Sequence, residues 1–177
     1  MCSGHPGCNA IVTETYYGIG LTQADNTVDL ILWRHADAKD AAGTTADADR
    51  ELTTQGLRQA EQVAEWLRSQ PLRKVVVLSS PARRAVQTAK ALRLPVEVKS
   101  KLGIGAGTAD LLSAAGWPDR PGAVILVSHQ PALGRLASLL LAGTEADWTI
   151  KKGAVWWFTN RVRRDETQTV LRAVQCP

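Results

Sequence analysis

A neutral imidazole can attack phosphorus and carry the phosphoryl group covalently, and an arginine fork can grip the oxygens of that group two at a time. This chain sets the two side by side at Arg34-His35. The pair closes an apolar run, Val28-Asp29-Leu30-Ile31-Leu32-Trp33, and Arg34 is the first basic residue of the sequence. Of the three histidines, His5 sits in the opening stretch, while His35 and His129 each follow a run patterned like a buried strand. A second imidazole, when protonated, can offset charge on the equatorial oxygens of a reacting phosphoryl group.

The elements that must position these residues alternate along the chain. Val28–Trp33 reads as a strand buried on both faces. A small, polar, acidic loop covers residues 36–51. Thr53 is placed to cap a helix whose apolar positions are Leu57, Ala60, Val63, Ala64 and Leu67. Lys74–Ser79 predicts a second buried strand, and Pro81 suits the first turn of a helix running to about Leu92. A short strand at Val96–Val98, a glycine-rich loop at Gly103–Gly107 and a helix over Ala109–Ala115 follow. Ala123–Val127 is a further buried strand and Ala132–Leu141 an apolar helix. Ala154–Thr159 and Thr169–Val174 form a terminal hairpin around the charged turn Arg161–Glu166. The pattern predicts an α/β fold: a three-layer α/β/α open, mostly parallel sheet with helices on both faces and an antiparallel C-terminal strand or hairpin. Residues 28–177 are read as this domain and residues 1–27 as an N-terminal extension.

Ligands of such sheets bind beyond the carboxyl ends of the strands. Three strand ends carry suitable groups: Arg34-His35, then Ser79-Ser80-Pro81 with Arg83-Arg84 a turn into the helix, then Ser128-His129-Gln130-Pro131. If these strands are neighbours, arginines and histidines converge in one crevice. Taken singly, a strand-end histidine is most often a hydrogen-bonded structural residue, and an arginine at a helix start is most often solvated. Their coincidence at three strand ends is what points to one shared site.

Composition narrows the classes. With 177 residues, 45% hydrophobic and 21% charged, the chain suits one globular domain with a substantial core. The net charge of +4 favours anionic partners. Seven basic residues between Lys74 and Lys101 face one acid, Glu97, a bias usually explained by a solvated helix face. Cys2, Cys8 and Cys176 have neither the number nor the spacing of a disulfide framework. The start lacks the signature of a signal peptide, no run is long enough for a membrane span, and a cytoplasmic location is expected. No carboxylate or histidine cluster has metal-ligand spacing, so neither metal nor other cofactor is expected. Scarcity of aromatics in the basic stretch argues against a nucleic-acid partner.

Four segments, LILWRHADA (30–38), RELTTQG (50–56), SSPARRAVQT (79–88) and VSHQPALG (127–134), resemble the histidine phosphatase (phosphoglycerate-mutase-like) superfamily in order and spacing. The closer resemblance is to its bacterial phosphohistidine phosphatases, and it covers roughly residues 28–175. It implies His35 as phosphoryl-accepting nucleophile, with Arg34, Arg84 and His129 forming the phosphate pocket. Ser80, Thr53 and Gln130 are implied near the substrate. The family pattern SPxxRAxQT puts its arginine at Arg84 and leaves Arg83 variable. The superfamily's RHG glycine is Ala36 here, an RHA form that occurs in the phosphohistidine branch. Branches that cleave phosphate esters carry an acid after the third strand; here VKSKLGIGAGTA separates Glu97 from Asp110. The long lid insertions of the mutases are missing as well.

The missing acid bears on the substrate. An alkoxide leaving group needs a proton donor, whereas an imidazole, with a pKa of about 6.5, leaves neutral once protonated. The reading is therefore hydrolysis of phosphohistidine on a histidine-containing protein domain of a phosphotransfer relay, with inorganic phosphate as product. A small-molecule phosphomonoesterase is the second reading and needs an acid from the 36–51 loop, Asp37 or Asp40. Asp37 is more simply a loop or capping residue. A non-catalytic module that binds phosphorylated proteins is the third.

Overall fold

The computed structural model describes residues 28–41, 46–163 and 166–177. The expected extension over residues 1–27 lies outside the described residues, with its Cys2, His5 and Cys8.

Among the described residues, six strands form one sheet: β1 (Val28–Arg34), β2 (Val76–Ser79), β3 (Val96–Val98), β4 (Gly122–Ser128), β5 (Val155–Arg163) and β6 (Glu166–Gln175). Their order is β3-β2-β4-β1-β5-β6. The first four in that order are parallel; β5 runs antiparallel to β1, and β6 antiparallel to β5. Among the described residues, four α-helices cover the faces: α1 (Thr54–Arg68), α2 (Arg83–Lys90), α3 (Thr108–Ala115) and α4 (Ala132–Ala142). The mostly parallel α/β sheet with an antiparallel C-terminal hairpin is the expected fold.

Strand β1 shows why its sequence lacks polar alternation. Ile31 and Trp33 enter the layer beneath α1 and α2, while Leu30 and Leu32 enter the layer beneath α3 and α4. Both faces are closed, so each position from Leu30 to Trp33 gains from being apolar, about 1.5–3 kcal/mol for each large side chain buried. The adjacent Trp156 and Trp157 divide in the same way. Trp157 meets Trp66 edge-on, and Trp156 packs against Trp148 and Phe158.

Three local expectations change. Leu57 is 53% exposed; the buried stripe of α1 is Gly56, Ala60, Val63, Ala64 and Leu67. Gly56 takes the inward place because a Cβ there would lie 1.9 Å from the Asp37 carbonyl oxygen, so the first turn can close on that loop only through glycine. Helix α2 starts at Arg83 rather than at Pro81. The Ala82 N–H donates to Ser80 Oγ at 3.2 Å, which keeps Ala82 extended as the N-cap. The hairpin strands run on to Arg163 and resume at Glu166, so strand pairing reaches into the stretch expected as the turn, Arg161–Glu166.

Register sets the site. Arg34 lies opposite Ser128, and Ser79 opposite Val127, so the carboxyl ends of β2, β4 and β1 finish level and adjacent. Among the described residues no helix is long and apolar enough to cross a membrane.

Candidate active site

His35 and His129 meet where β1 and β4 end, with ring centroids 5.1 Å apart and planes tilted by 55°. The backbone fixes both ends. The His35 N–H donates to Ser128 O at 3.2 Å, the Gly153 N–H donates to the carbonyls of Arg34 (3.2 Å) and His35 (3.1 Å), and the Ser80 N–H donates to Val127 O at 2.9 Å.

The His35 ring is set by one short bond, Nδ1 to Ala36 O at 2.8 Å. A carbonyl only accepts, so Nδ1 carries the proton and Nε2 keeps its lone pair. Arg84 Nε lies 3.3 Å from that Nε2 and donates to it. Thr88, one turn along α2, ties the helix to the histidine loop: Thr88 Oγ1 accepts from the Ala36 N–H at 3.1 Å and donates to Arg84 O at 2.7 Å.

The two neighbouring arginines behave oppositely. The Arg83 side chain is 57% exposed and pairs with Glu51 at 2.6 Å. The Arg84 side chain is 5% exposed and turns inward. The basic stretch is thus a solvated face except at Arg84, where helix geometry sends the residue towards the strand ends.

Arg34 reaches the site from the other side of the sheet. Its Nη1 donates to Ile150 O at 2.7 Å. With Gln130, Pro131, Asp147, Trp148 and Thr149 it lines a cleft of about 380 Å³. His129 Nε2 lies 2.7 Å from Ser80 Oγ. Among the described residues, Arg34 Nε, His129 Nδ1 and Asn160 Oδ1 are buried side-chain polar atoms without a partner. Two of these three lie in the site. A buried polar atom left unpaired costs about 1–3 kcal/mol, so such atoms call for an explanation, and a ligand rich in acceptor oxygens supplies one.

Burial and charge keep both rings neutral. Burial pushes the His35 imidazole down to about 4; Arg84, Arg34 and Lys152 add to the effect and the Ala36 hydrogen bond opposes it. Burial pushes His129 down to about 3, with His35 and Arg84 adding and Asp47 opposing. At neutral pH the site therefore presents two neutral imidazoles among cations.

Thr53 and Gln130 act as braces. Thr53 Oγ1 accepts from the Gly56 N–H at 2.9 Å as the cap of α1, and donates to Asp37 Oδ2 at 2.9 Å. Gln130 spans the α4 start and the loop before β5, donating to Trp148 O (2.9 Å) and accepting from the Gly134 N–H (2.8 Å). Asp37 pairs with Lys152 at 2.7 Å, and this hydrogen bond holds its carboxyl below the usual range.

Two residues not singled out from the sequence enter the site. Lys152 is close enough to depress His35. Asp47 holds Arg84 through its carboxylate, 2.9 Å from Nη2, and through its backbone oxygen, 2.5 Å from Nη1. Asp47 lies in an acidic loop without periodicity, and Lys152 in a turn before β5, so no local signal in the sequence points to either. Among the described residues, no three His, Cys, Asp or Glu side chains cluster as metal ligands.

The sequence profile of the histidine phosphatase superfamily (branch 1) matches residues 30–103. The phosphohistidine phosphatase SixA of Escherichia coli K12 is 34% identical over 125 residues, spanning 66% of this chain and 76% of that protein. Among solved structures, the putative phosphohistidine phosphatase SixA of Nakamurella superposes with a TM-score of 0.67 at 26% identity, covering 85% of this chain and 96% of its own. A protein histidine phosphatase SixA complexed with tungstate gives 0.67 at 27% identity, with 84% and 96% covered. The chain belongs to the histidine phosphatase superfamily, in its SixA-like branch. Phosphatase chemistry is the activity this membership carries.

Proposed function

We propose that the protein removes the phosphoryl group from phosphohistidine on a histidine-containing protein domain, through a covalent intermediate on His35. The observation that carries this reading is the His35 ring: Nδ1–H is committed to Ala36 O, Nε2 holds the lone pair, and Arg84 stands beside it. In the first step Nε2 attacks phosphorus, the substrate's N–P bond breaks, and its imidazole, already protonated from solvent on its other ring nitrogen, leaves neutral. In the second, water attacks phosphorus, the Nε2–P bond breaks, and inorganic phosphate departs with the proton balance returned to solvent. Arg34, Arg84 and His129 hold the phosphoryl oxygens, and Ser80 orients His129. The SixA structure that holds tungstate, a tetrahedral oxyanion, supports an oxyanion pocket here.

The phosphohistidine substrate is favoured by the acids around the site. Asp110 caps α3, its Oδ2 accepting from the Gly107 N–H at 3.1 Å. Asp37 is ion-paired to Lys152, and Asp40 is fully exposed at 3.9 Å from Arg50. Arg50 and Arg84 hold the Asp47 carboxyl below the usual range. Asp37 and Asp47, both held below the usual range, are charged and offer no proton at neutral pH, while Asp110 is spent on its cap and Asp40 faces solvent, so an alkoxide leaving group lacks its donor.

Turnover of a phosphohistidine protein, phosphoramidate and a panel of phosphate esters, measured side by side, tests the reading. The kcat/KM for phosphohistidine is expected to exceed that for alkyl esters by at least roughly 10², the lower range of general-acid catalysis. An alkyl ester turned over equally well would replace this reading with a phosphomonoesterase.

A further inference from the structure

All three guanidinium nitrogens of Arg84 are committed: Nε to His35 Nε2, Nη1 to the backbone oxygen of Asp47, and Nη2 to its carboxylate. The Asp47 carboxylate divides its oxygens between two cations. Oδ2 sits on Arg84, and Oδ1 lies 2.9 Å from Arg50 Nη1. Arg50 is itself fixed, its Nε donating to Lys39 O at 2.5 Å. Asp47 thus occupies both ends of the planar fork that a phosphoryl group needs, its backbone oxygen on Nη1 and its carboxylate on Nη2, and a fork so engaged cannot grip a second anion at the same time.

We infer that Asp47 is a displaceable stand-in for the phosphoryl group: it holds Arg84 in position in the resting enzyme, yields Nη1 and Nη2 to the incoming phosphoryl oxygens, and retakes them as inorganic phosphate leaves. This rests on the phosphoryl-transfer reading of the site. Three features make the exchange easy. Arg50 keeps its hold on Oδ1, so the displaced carboxylate is not stranded without a counter-charge. Asp47 is half exposed, so water replaces what Arg84 gave it. Its carrier is a three-residue 3₁₀ turn, Asp47–Asp49, with no buried residue, so movement breaks no core packing. Asp47 is accordingly a positioning residue that acts through Arg84. It orders the arginine before substrate arrives and weakens the grip on free phosphate, which favours product release.

Calorimetric titration of the full chain with orthovanadate and with inorganic phosphate tests this. It compares wild type, Asp47→Asn, Asp47→Ser and Asp49→Asn, alongside kcat and KM on a phosphohistidine protein and thermal melts. Removing the competing carboxylate is expected to tighten both anions about tenfold, the order of one charge-assisted hydrogen bond, and to lower KM more than it changes kcat. Asp49→Asn, a surface change, should stay within about twofold. Anion affinity unchanged or weakened in folded Asp47 variants would overturn the inference, as would lost kcat with unchanged anion affinity. A wild-type crystal structure with orthovanadate needs no variant. Asp47 is expected off Arg84 and still on Arg50; a carboxylate remaining on Arg84 beside bound vanadate would refute the exchange. If wild type binds neither anion, the phosphoryl-transfer reading itself fails, and this inference with it.

Discussion

Replacing Arg84 tests how much of the chemistry rests on one buried guanidinium. Arg84→Ala removes Nε from His35 Nε2 and the two Nη donors, now on Asp47, that the proposed mechanism turns to the phosphoryl oxygens. Losing one preorganised donor to a developing anion costs about 10²–10³ in kcat, or roughly 2.7–4 kcal/mol, and two such donors place Arg84→Ala at the upper end. Arg84→Lys keeps the charge but offers one nitrogen where the guanidinium has three, so it is expected to lose at least about tenfold. Arg83→Ala is the internal control. Its side chain is 57% exposed and its partner is the surface residue Glu51, an arrangement worth about 0–1 kcal/mol at most. Initial rates on a phosphohistidine protein at saturating substrate, with urea melts to confirm folding, give the comparison. Equal losses in Arg83→Ala and Arg84→Ala, or a fully active Arg84→Lys, would refute the reasoning.

Stability should depend on pH through the two buried rings. The unfolded chain takes up protons on histidine near pH 6.5, while the folded chain resists until about 4 at His35 and about 3 at His129. Between these values the unfolded state binds more protons, so stability falls as pH drops from about 6.5 towards 4, by on the order of 2–3 kcal/mol per ring. Urea midpoints at pH 7.5, 6 and 5 read this directly; a flat profile that is the same in His35→Ala would contradict it. Gly134→Ala should destabilise by at least about 2 kcal/mol, because its Cβ would lie 1.7 Å from the Trp148 carbonyl oxygen and backbone must move. An unchanged denaturation midpoint would mean that α4 and the loop before β5 are not held so closely. Turnover should survive dialysis against a chelator, since the arginines already supply positive charge; activity lost and then restored by Mg²⁺ or Zn²⁺ would contradict this.

Residues whose placement depends on local periodicity were legible in the sequence. Strand β1 announces itself because both of its faces are closed, and His35 and His129 follow because they sit immediately after such runs. Thr53 was legible as a cap because the motif for a helix start is local. Arg84 could be told from Arg83 only by family resemblance; one residue along a helix is a 100° turn, and nothing local says which side faces the strand ends. Leu57 was misjudged because periodicity marks a stripe but not the neighbour that fills it, and Gly56 closes on Asp37 instead. Asp47 and Lys152 were not legible. Each reaches the site from an aperiodic segment, Lys152 from 115 residues away along the chain in its bond to Asp37, so its place is set by tertiary packing.

The central claim is that His35 becomes phosphorylated during turnover. Rapid-quench mixing with a labelled phosphohistidine protein, followed by peptide mapping, tests it most directly. The expected result is an acid-labile, base-stable phosphoryl adduct on His35 that forms and decays at rates compatible with turnover and is absent from His35→Ala. An adduct on a cysteine, serine or aspartate, or full activity in His35→Ala, would contradict it.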